Sequence, residues 1–339
     1  MTEQHDAAPA QFEISIIIKA LNEEHNISRT LESALHATQG LNAEIILADS
    51  MSTDNTISIA RKYKIKIVQL QNSSDRCCGI GAQLGYQHCS GDFILIIDGD
   101  MSVERDWLLS ALNKIKNDST LGGVGGIVDD VNLDNIEFRA RRQRKPADML
   151  PGQVDRLDCG GLYRQKAIAG IDYLTHRSLH SREELELGLR LNHAGWRMER
   201  LDMISIHHYG HTIPMWPLIK KRWHSRYANG MGELLRASFG KPWLTAALMR
   251  MKLSIAVIGW WLTSAFLGTA LLFTSKLAPI FFIVTLTPPV LMTIKKRSIG
   301  MGLYSILSWC VDAAGLIRGV TSKIVDPRIK IASKIIQNG

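Results

Sequence analysis

Two aspartates flanking a glycine, Asp98-Gly99-Asp100, follow the run Phe93-Ile94-Leu95-Ile96-Ile97. Five apolar residues in a row, rich in isoleucine and bounded by Gly and Asp, predict a buried parallel strand. Residues two apart in an extended chain project to the same side. Both carboxylates are therefore expected to face one point beyond the strand's C-terminal end, in the crevice where open α/β sheets bind ligands. Gly99 has no side chain to block that approach. Hard oxygen ligands so placed suit Mg2+ or Mn2+ held together with substrate phosphates. Asp-Gly is also a turn dipeptide, so the surroundings must decide between a site and a polar turn.

Other groups point the same way. Glu183-Glu184 open the stretch Ser181–Leu191, in which Leu185, Leu189 and Leu191 predict the core side of a helix, with Gly195 near its end. A first-turn glutamate aimed into the crevice would serve as a general base. Ser181 with Glu184 three residues on also matches a capping box, the structural reading of that glutamate. His207, His208 and His211 follow closely, and one of them could join Asp100 on a metal, although a structural role competes for each. Arg139, Arg141, Arg142, Arg144 and Lys145 read as a solvated or lipid-facing loop, or as a clamp for an anionic acceptor group.

The elements that must position these residues alternate. Strands are expected at Ile14–Ile18, Glu44–Ala48, Ile65–Leu70 and Phe93–Ile97, and helices at Glu24–Thr38, from Asn55, and at Ile80–Cys89. Such alternation predicts an α/β fold with a doubly wound, mostly parallel sheet whose post-strand loops converge on one crevice. Asn22, Glu23, Asp49, Asp98 and Asp100 all fall on those loops. A helix from Trp107 to Asn117, a glycine-rich strand at Gly122–Val128, a close backbone approach at Asp158–Arg164 and a strand at Ile204–His208 complete the set. Gly79-Ile80-Gly81-Ala82-Gln83-Leu84-Gly85 resembles a dinucleotide fingerprint but does not follow the first strand, which excludes a Rossmann dehydrogenase. A P-loop is absent as well.

The chain of 339 residues carries a net charge of +8, and its apolar excess lies after residue 250. Five cysteines show neither metal-ligand spacing nor an even disulfide framework, as in a reducing compartment. Residues 1–12 read as a polar, disordered tail without a signal peptide. Leu253–Ser275 is free of charge and long enough to span a bilayer, and Leu277–Ile294 is a second, shorter run broken by Pro288-Pro289. Basic residues outside the pair predict a hairpin with both ends cytoplasmic. Gly300–Val320, with Asp312, is expected to pack on the hairpin or lie in the interface, followed by a basic tail. Residues 214–250, with Lys220, Lys221, Arg226 and Trp216, read as amphipathic interfacial helices. The positive charge thus points to anionic lipid; the soluble half lacks the aromatic-interleaved basic face that nucleic acid requires.

From Ile14 to Thr212 the chain resembles the family 2 glycosyltransferases of GT-A fold, inverting enzymes that use nucleotide sugars. The likeness is carried by Ile14–Glu23, Ala48–Thr56, Gly91–Asp100, Gly160–Arg164 and Glu183–Arg190, in that order. It implies a GT-A domain over 13–213 and a membrane region over 251–339. The donor, a nucleotide sugar of UDP or GDP type, would be held by Asn22, Glu23, Asp49, Ser52, Arg76, Asp98, Gly99 and Gly161. Asp98 would lie near the ribose and sugar, and Asp100 with His208 would hold Mg2+ or Mn2+. The family usually has Glu-Asp where this chain has Glu183-Glu184, and the base role falls to Glu184 with Glu183 beside it. Arg222-Trp223 match the end of the Gln-x-x-Arg-Trp acceptor motif of processive synthases, but Ile219 replaces its glutamine, which counts against polymer formation. The implied activity is transfer to a hydroxyl of a lipid-linked or other saccharide, at the inner face of a plasma membrane. Alternatives are a polyprenyl-phosphate glycosyl synthase, a nucleotidyltransferase and a membrane scaffold without turnover.

Overall fold

The computed structural model describes residues 12–132, 149–158 and 160–336. The tail expected before Phe12, the basic run Arg139–Lys145 and Cys159 lie outside the described residues. The chain divides into two compact units, one made of residues up to Leu179, Glu183–Thr212 and the segment from Val325, the other of His180–Arg182 with Ile213–Ile324.

In the first unit, strands and helices alternate as β1 (Phe12–Ala20), α1 (Ile27–Ala37), β2 (Ala43–Asp49), α2 (Thr56–Ala60), β3 (Lys66–Leu70), α3 (Cys78–Tyr86) and β4 (Gly91–Asp98). These strands pair in parallel in the order β3-β2-β1-β4. Period-two alternation sorts their side chains between two cores. Ile14, Ile16 and Ile18 face α1 and Trp107, whereas Ile17, Ile46 and Ile94 face α3 and Leu187. Both faces are thereby covered, as a parallel sheet requires. The glycine-rich 79–85 stretch is mostly helix α3. A Cβ on Gly79 would lie 2.2 Å from the His176 carbonyl oxygen, so the glycine serves close packing there.

Beyond β4 the sheet becomes mixed. The chain continues through β5 (Met101–Val103), α4 (Arg105–Asn117), β6 (Leu121–Asp130), β7 (Gly152–Val154), β8 (Gly161–Arg164), α5 (Gln165–Ala169), α6 (Glu183–His193) and β9 (Arg197–His208). β8 runs antiparallel to β4 and β6, β9 runs parallel to β6, and β5 and β7 run antiparallel to β9. The expected capping box is not formed: α6 starts at Glu183 after Arg182 at φ 70, and the Ser181 hydroxyl donates to the Tyr227 carbonyl.

The segment after the apolar helices differs from the basic tail the sequence suggested. It re-enters the first unit as β10 (Ser333–Ile336), antiparallel to β3. Gln87 brackets Ile331, accepting from its N–H at 2.6 Å and donating to its carbonyl, and Arg177 donates to the Ile329 carbonyl at 2.8 Å. Ile331 is 1% exposed and belongs to the core on the α3 face.

The second unit holds α7 (Met215–His224), α8 (Gly230–Ser238), α9 (Leu244–Met249), α10 (Lys252–Ala270), α11 (Ala278–Lys296) and α12 (Ile299–Val320). Three of its helices, Lys252–Ala270, Ser275–Lys296 and Ile299–Val320, are long and apolar enough to cross a membrane. Trp260 of α10 donates to the Val284 carbonyl of α11 at 3.0 Å, and Pro288-Pro289 are accommodated inside α11. α12 is the most buried of the three; Arg318 near its end stacks over Trp223 and donates to that residue's carbonyl.

Replacing Ile331 with Ala is expected to destabilise the first unit by about 2–5 kcal/mol. Thermal unfolding of the detergent-solubilised full chain checks this, and an unchanged Tm would contradict the packing described.

Candidate active site

β1, β4 and α6 bring four charged groups into one cluster. Lys19 Nζ lies 2.9 Å from Asp98 Oδ1, 3.6 Å from Glu183 Oε1 and 3.8 Å from Glu184 Oε1. Asp98 and Glu184 line a narrow cavity with Gly161, Tyr163 and Leu187. Burial pushes the Glu184 carboxyl up to about 8, the charges of Glu183, Asp158 and Asp98 add to this, and Lys19 opposes it. Burial also raises Glu183 against the pull of Lys19. A proton acceptor must be ionised when it acts, and the raised value makes the Glu184 carboxylate a stronger base than a solvated one, with its full activity reached above neutral pH.

The two aspartates of the tripeptide do not point at one partner, contrary to the strand-based expectation. β4 ends at Asp98 and Gly99-Asp100 form a turn, so the strand's alternation stops between them. Asp98 meets Lys19, whereas Asp100 Oδ2 faces His208 Nε2 at 3.4 Å. Burial raises Asp100, but the hydrogen bond and charge of His208 prevail and hold it below the ordinary carboxylate range. His208 Nδ1 is engaged in turn by Asp130 at 2.8 Å, and Asp130 is 4% exposed. That carboxylate fixes the ring so that Nε2 is directed at Asp100, as orienting carboxylates do for metal-binding histidines. His207, the next residue along β9, points to the other face and meets Glu104 and Asp129, each at 3.1 Å.

Glu23 borders both aspartates. Burial pushes its carboxyl up to about 7 against a hydrogen bond from Asn26, and the charges of Asp100, Asp98 and Asp54 contribute. A Cβ on residue 99 would sit 2.8 Å from Glu23 Cγ, so only glycine fits between the aspartates. Asn22, at φ 60, donates its N–H to Ser52 Oγ and accepts from the Thr53 N–H at 2.8 Å. Asp49 is fully buried; it accepts from Ser52 N at 3.0 Å and Gln69 Nε2 at 2.8 Å. Arg76 donates to the carbonyls of Ser50 and Met51. Asp49 and Arg76 thus shape the 50–53 loop, and Asn22, Glu23 and Ser52 present the more open edge.

Arg222 and Trp223 belong to the second unit, where Arg222 lies over the Tyr227 ring at 5.6 Å. Sequence reasoning overlooked Lys19 and Asp130. The signal for Lys19 was a lone cation inside an apolar strand, since lysine is rarely buried without a partner. Asp130 carried no such signal, because its partner is distant in sequence.

Among the described residues no group of three His, Cys, Asp or Glu side chains is gathered as a complete metal cage. Asp100 and His208 offer two ligands, and their 3.4 Å separation suits two atoms each about 2.1 Å from a shared ion. A hard divalent ion held with a substrate's phosphates needs no more from the protein.

Residues 15–171 match the family described as Glycosyl transferase family 2. They form a family 2 glycosyltransferase domain. A dolichol-phosphate mannosyltransferase of Pyrococcus furiosus is 26% identical over 141 residues, which is 40% of each chain. The putative glycosyltransferase EpsE of Bacillus subtilis is 28% identical over 54% of this chain and 68% of its own. The chain spans 40%, 14% and 40% of the length of three curated relatives it matches, so the likeness is one of domains. The mannosyltransferase PcManGT of Pyrobaculum calidifontis, solved with GDP-Man and Mn2+, superposes with a TM-score of 0.58 at 16% identity, covering 91% of this chain and 90% of that one. The GT-A architecture is therefore shared, with three apolar helices following it.

The raised carboxyls set a sign for stability. Glu184 titrates near 4.5 when unfolded and near 8 when folded, so between those values the native state binds the extra proton. Its contribution to stability is present below about pH 4.5 and is lost as pH rises towards 8. Glu184→Gln is therefore expected to raise the Tm at pH 8 by a few degrees and to flatten its decline from pH 5 to 8, as read by thermal unfolding across that range.

Proposed function

We propose that the protein is a membrane-bound inverting glycosyltransferase. It moves a sugar from a UDP- or GDP-type nucleotide sugar to an acceptor hydroxyl, on a lipid-linked or other saccharide of the cell surface or an exopolysaccharide. The observation that carries the reading is the cavity in which Asp98 stands beside a buried, proton-accepting Glu184.

In this reading the loop built on Asp49 and Arg76 holds the nucleoside with Asn22, Glu23 and Ser52, while Gly99 and Gly161 allow the backbone to approach the donor closely. Asp98 orients the ribose and sugar. Asp100 and His208, steadied by Asp130, would hold Mg2+ or Mn2+, which when bound offsets charge on the departing nucleoside diphosphate. Glu184 takes the proton of the acceptor hydroxyl as its oxygen attacks the anomeric carbon from the face opposite the leaving group. Glu183 keeps the first turn of α6 acidic. Fixing both substrates in line supplies much of the remaining acceleration. Arg222 and Trp223 are assigned to the acceptor.

A second reading is a phosphate acceptor, as in a polyprenyl-phosphate glycosyl synthase; the relative named dolichol-phosphate mannosyltransferase speaks for it. The lining of the cavity favours the hydroxyl. Asp98, Glu183 and Asp158 act on Glu184; Lys19 pairs with the first two and Arg156 with Asp158, so the acids outnumber the cations, a field unfavourable to a phosphate monoester.

A thermal-shift screen of nucleotide sugars with and without Mn2+ should find a donor that raises the Tm only with the metal present. Glu184→Gln should retain that shift and lose roughly 10²–10⁴-fold in transfer. Near-normal turnover of the variant would select the phosphate acceptor, and the absence of any donor shift would sink the transferase reading.

The sheet supports one membrane arrangement. β3 and β10 are hydrogen-bonded neighbours, yet α10, α11 and α12 lie between them in sequence. The chain must leave and return on one side of the bilayer, which supports an even number of crossings. α10 and α11 then form the hairpin, and α12, with Asp312 and Arg318, stays on the side of the catalytic unit. The basic flanks of the hairpin favour the cytoplasm for that side. An impermeant thiol reagent applied outside intact cells should label Phe273→Cys and spare Lys323→Cys. Labelling of both would refute the hairpin.

A further inference from the structure

We propose that Lys19 is a positioning residue for transfer, its ammonium binding Asp98, Glu183 and Glu184 into one cluster so that Glu184 can give up its proton within the working pH range and is aimed at the acceptor. The proposal rests on the reading of Glu184 as the base and adds a residue to which neither the motifs nor the family likeness gave a role.

The geometry singles Lys19 out. It lies at the end of β1, between β4, which carries Asp98, and α6, which carries both glutamates, and its side chain is only 14% exposed. A Cβ on Gly81 of α3 would meet the Cβ and Cγ of Lys19 at 3.3 Å, so the stem has little room to swing away. The main chain of the same residue holds the donor-side turn, because the Lys19 carbonyl accepts from the Gly99 N–H at 2.8 Å. One residue thus fixes the turn of Asp98-Gly99-Asp100 through its backbone and the base through its side chain.

The charge balance explains why an ammonium is needed. Glu184 faces Glu183 on its own helix, Asp98 at the end of β4, Asp158 ahead of β8, Tyr163 on β8 and Cys78 at the start of α3. Among the described residues Lys19 is the cation paired with Asp98, Glu183 and Glu184, while Arg156 pairs with Asp158. Burial disfavours its charge, but the three carboxylates outweigh burial and hold the ammonium protonated. With that charge removed, mutual repulsion among the acids is relieved only when one of them takes a proton or swings out. Either event disables the base, and the first can be reversed by raising the pH.

The test compares full-length wild type, Lys19→Met and Lys19→Arg in detergent, using the nucleotide sugar that gives the largest Mn2+-dependent thermal shift. For Lys19→Met, kcat at pH 7 should fall about tenfold or more. The acid limb of its kcat profile should move up by about 1–3 pH units, so that activity recovers as pH rises to 9.5. KM for the donor should stay within about twofold, and Lys19→Arg should keep most of the turnover. A loss of equal size at every pH, a rise in donor KM with kcat unchanged, or no loss at all would overturn the proposal. If Lys19→Met does not fold, the nearly isosteric Lys19→Gln carries the same comparison. Failure of the wild type to turn over any nucleotide sugar would count against the transferase reading itself, an outcome distinct from those.

Discussion

The structure depends on gathering like charges where water is scarce. Asp98, Glu183 and Glu184 converge on one lysine at the mouth of a sheet whose strands are buried on both faces. In such surroundings a carboxylate is costly unless it is paired, so the group either finds a cation or keeps its proton. The cluster does both, with Lys19 ionised and Glu184 poised near neutrality. The fold has to withstand this tension, and it does so with two isoleucine-rich cores that hold β1 and β4 in register from Phe12 to Lys19.

The mixed half of the sheet serves the same end by different means. A purely parallel sheet would place only loops at the crevice. The long β9 instead returns along β6 and pairs with the short β5 just after the Asp98 turn, Met101 opposite His208. That pairing brings a histidine from the far end of the domain to Asp100, and the neighbouring β6 supplies Asp130 to hold it. His207 and His208 differ in partner because successive strand residues face opposite ways.

Much of this was legible in the sequence. The isoleucine runs declared the parallel strands, and the acids at their ends marked the crevice. Glu184 and His208 were singled out by type and order, and the fold sets them beside Lys19 and Asp100. Other features escaped for identifiable reasons. The Asp98 and Asp100 side chains part because the strand stops two residues earlier than a uniform alternation supposes. Asp49 and Arg76 read as ligand-binding residues, and the sequence did not reveal that their polar groups also brace the loop at 50–53. Composition and period could not reveal that residues 333–336 form a strand, because four residues, Ser-Lys-Ile-Ile, become a strand only through the exposed edge of β3 that receives them.

That receiving edge orders events during synthesis. β3 emerges from the ribosome long before β10, and in the interval its outer hydrogen-bonding groups face solvent, a template to which other nascent strands can add. The three apolar helices are made within the same interval, so the edge stays open until they are complete. Completion of the first unit is therefore coupled to synthesis of the second. A polypeptide that stops within those helices keeps an unsealed sheet, recognisable to chaperones and proteases, whereas a finished one brings its own closing strand back.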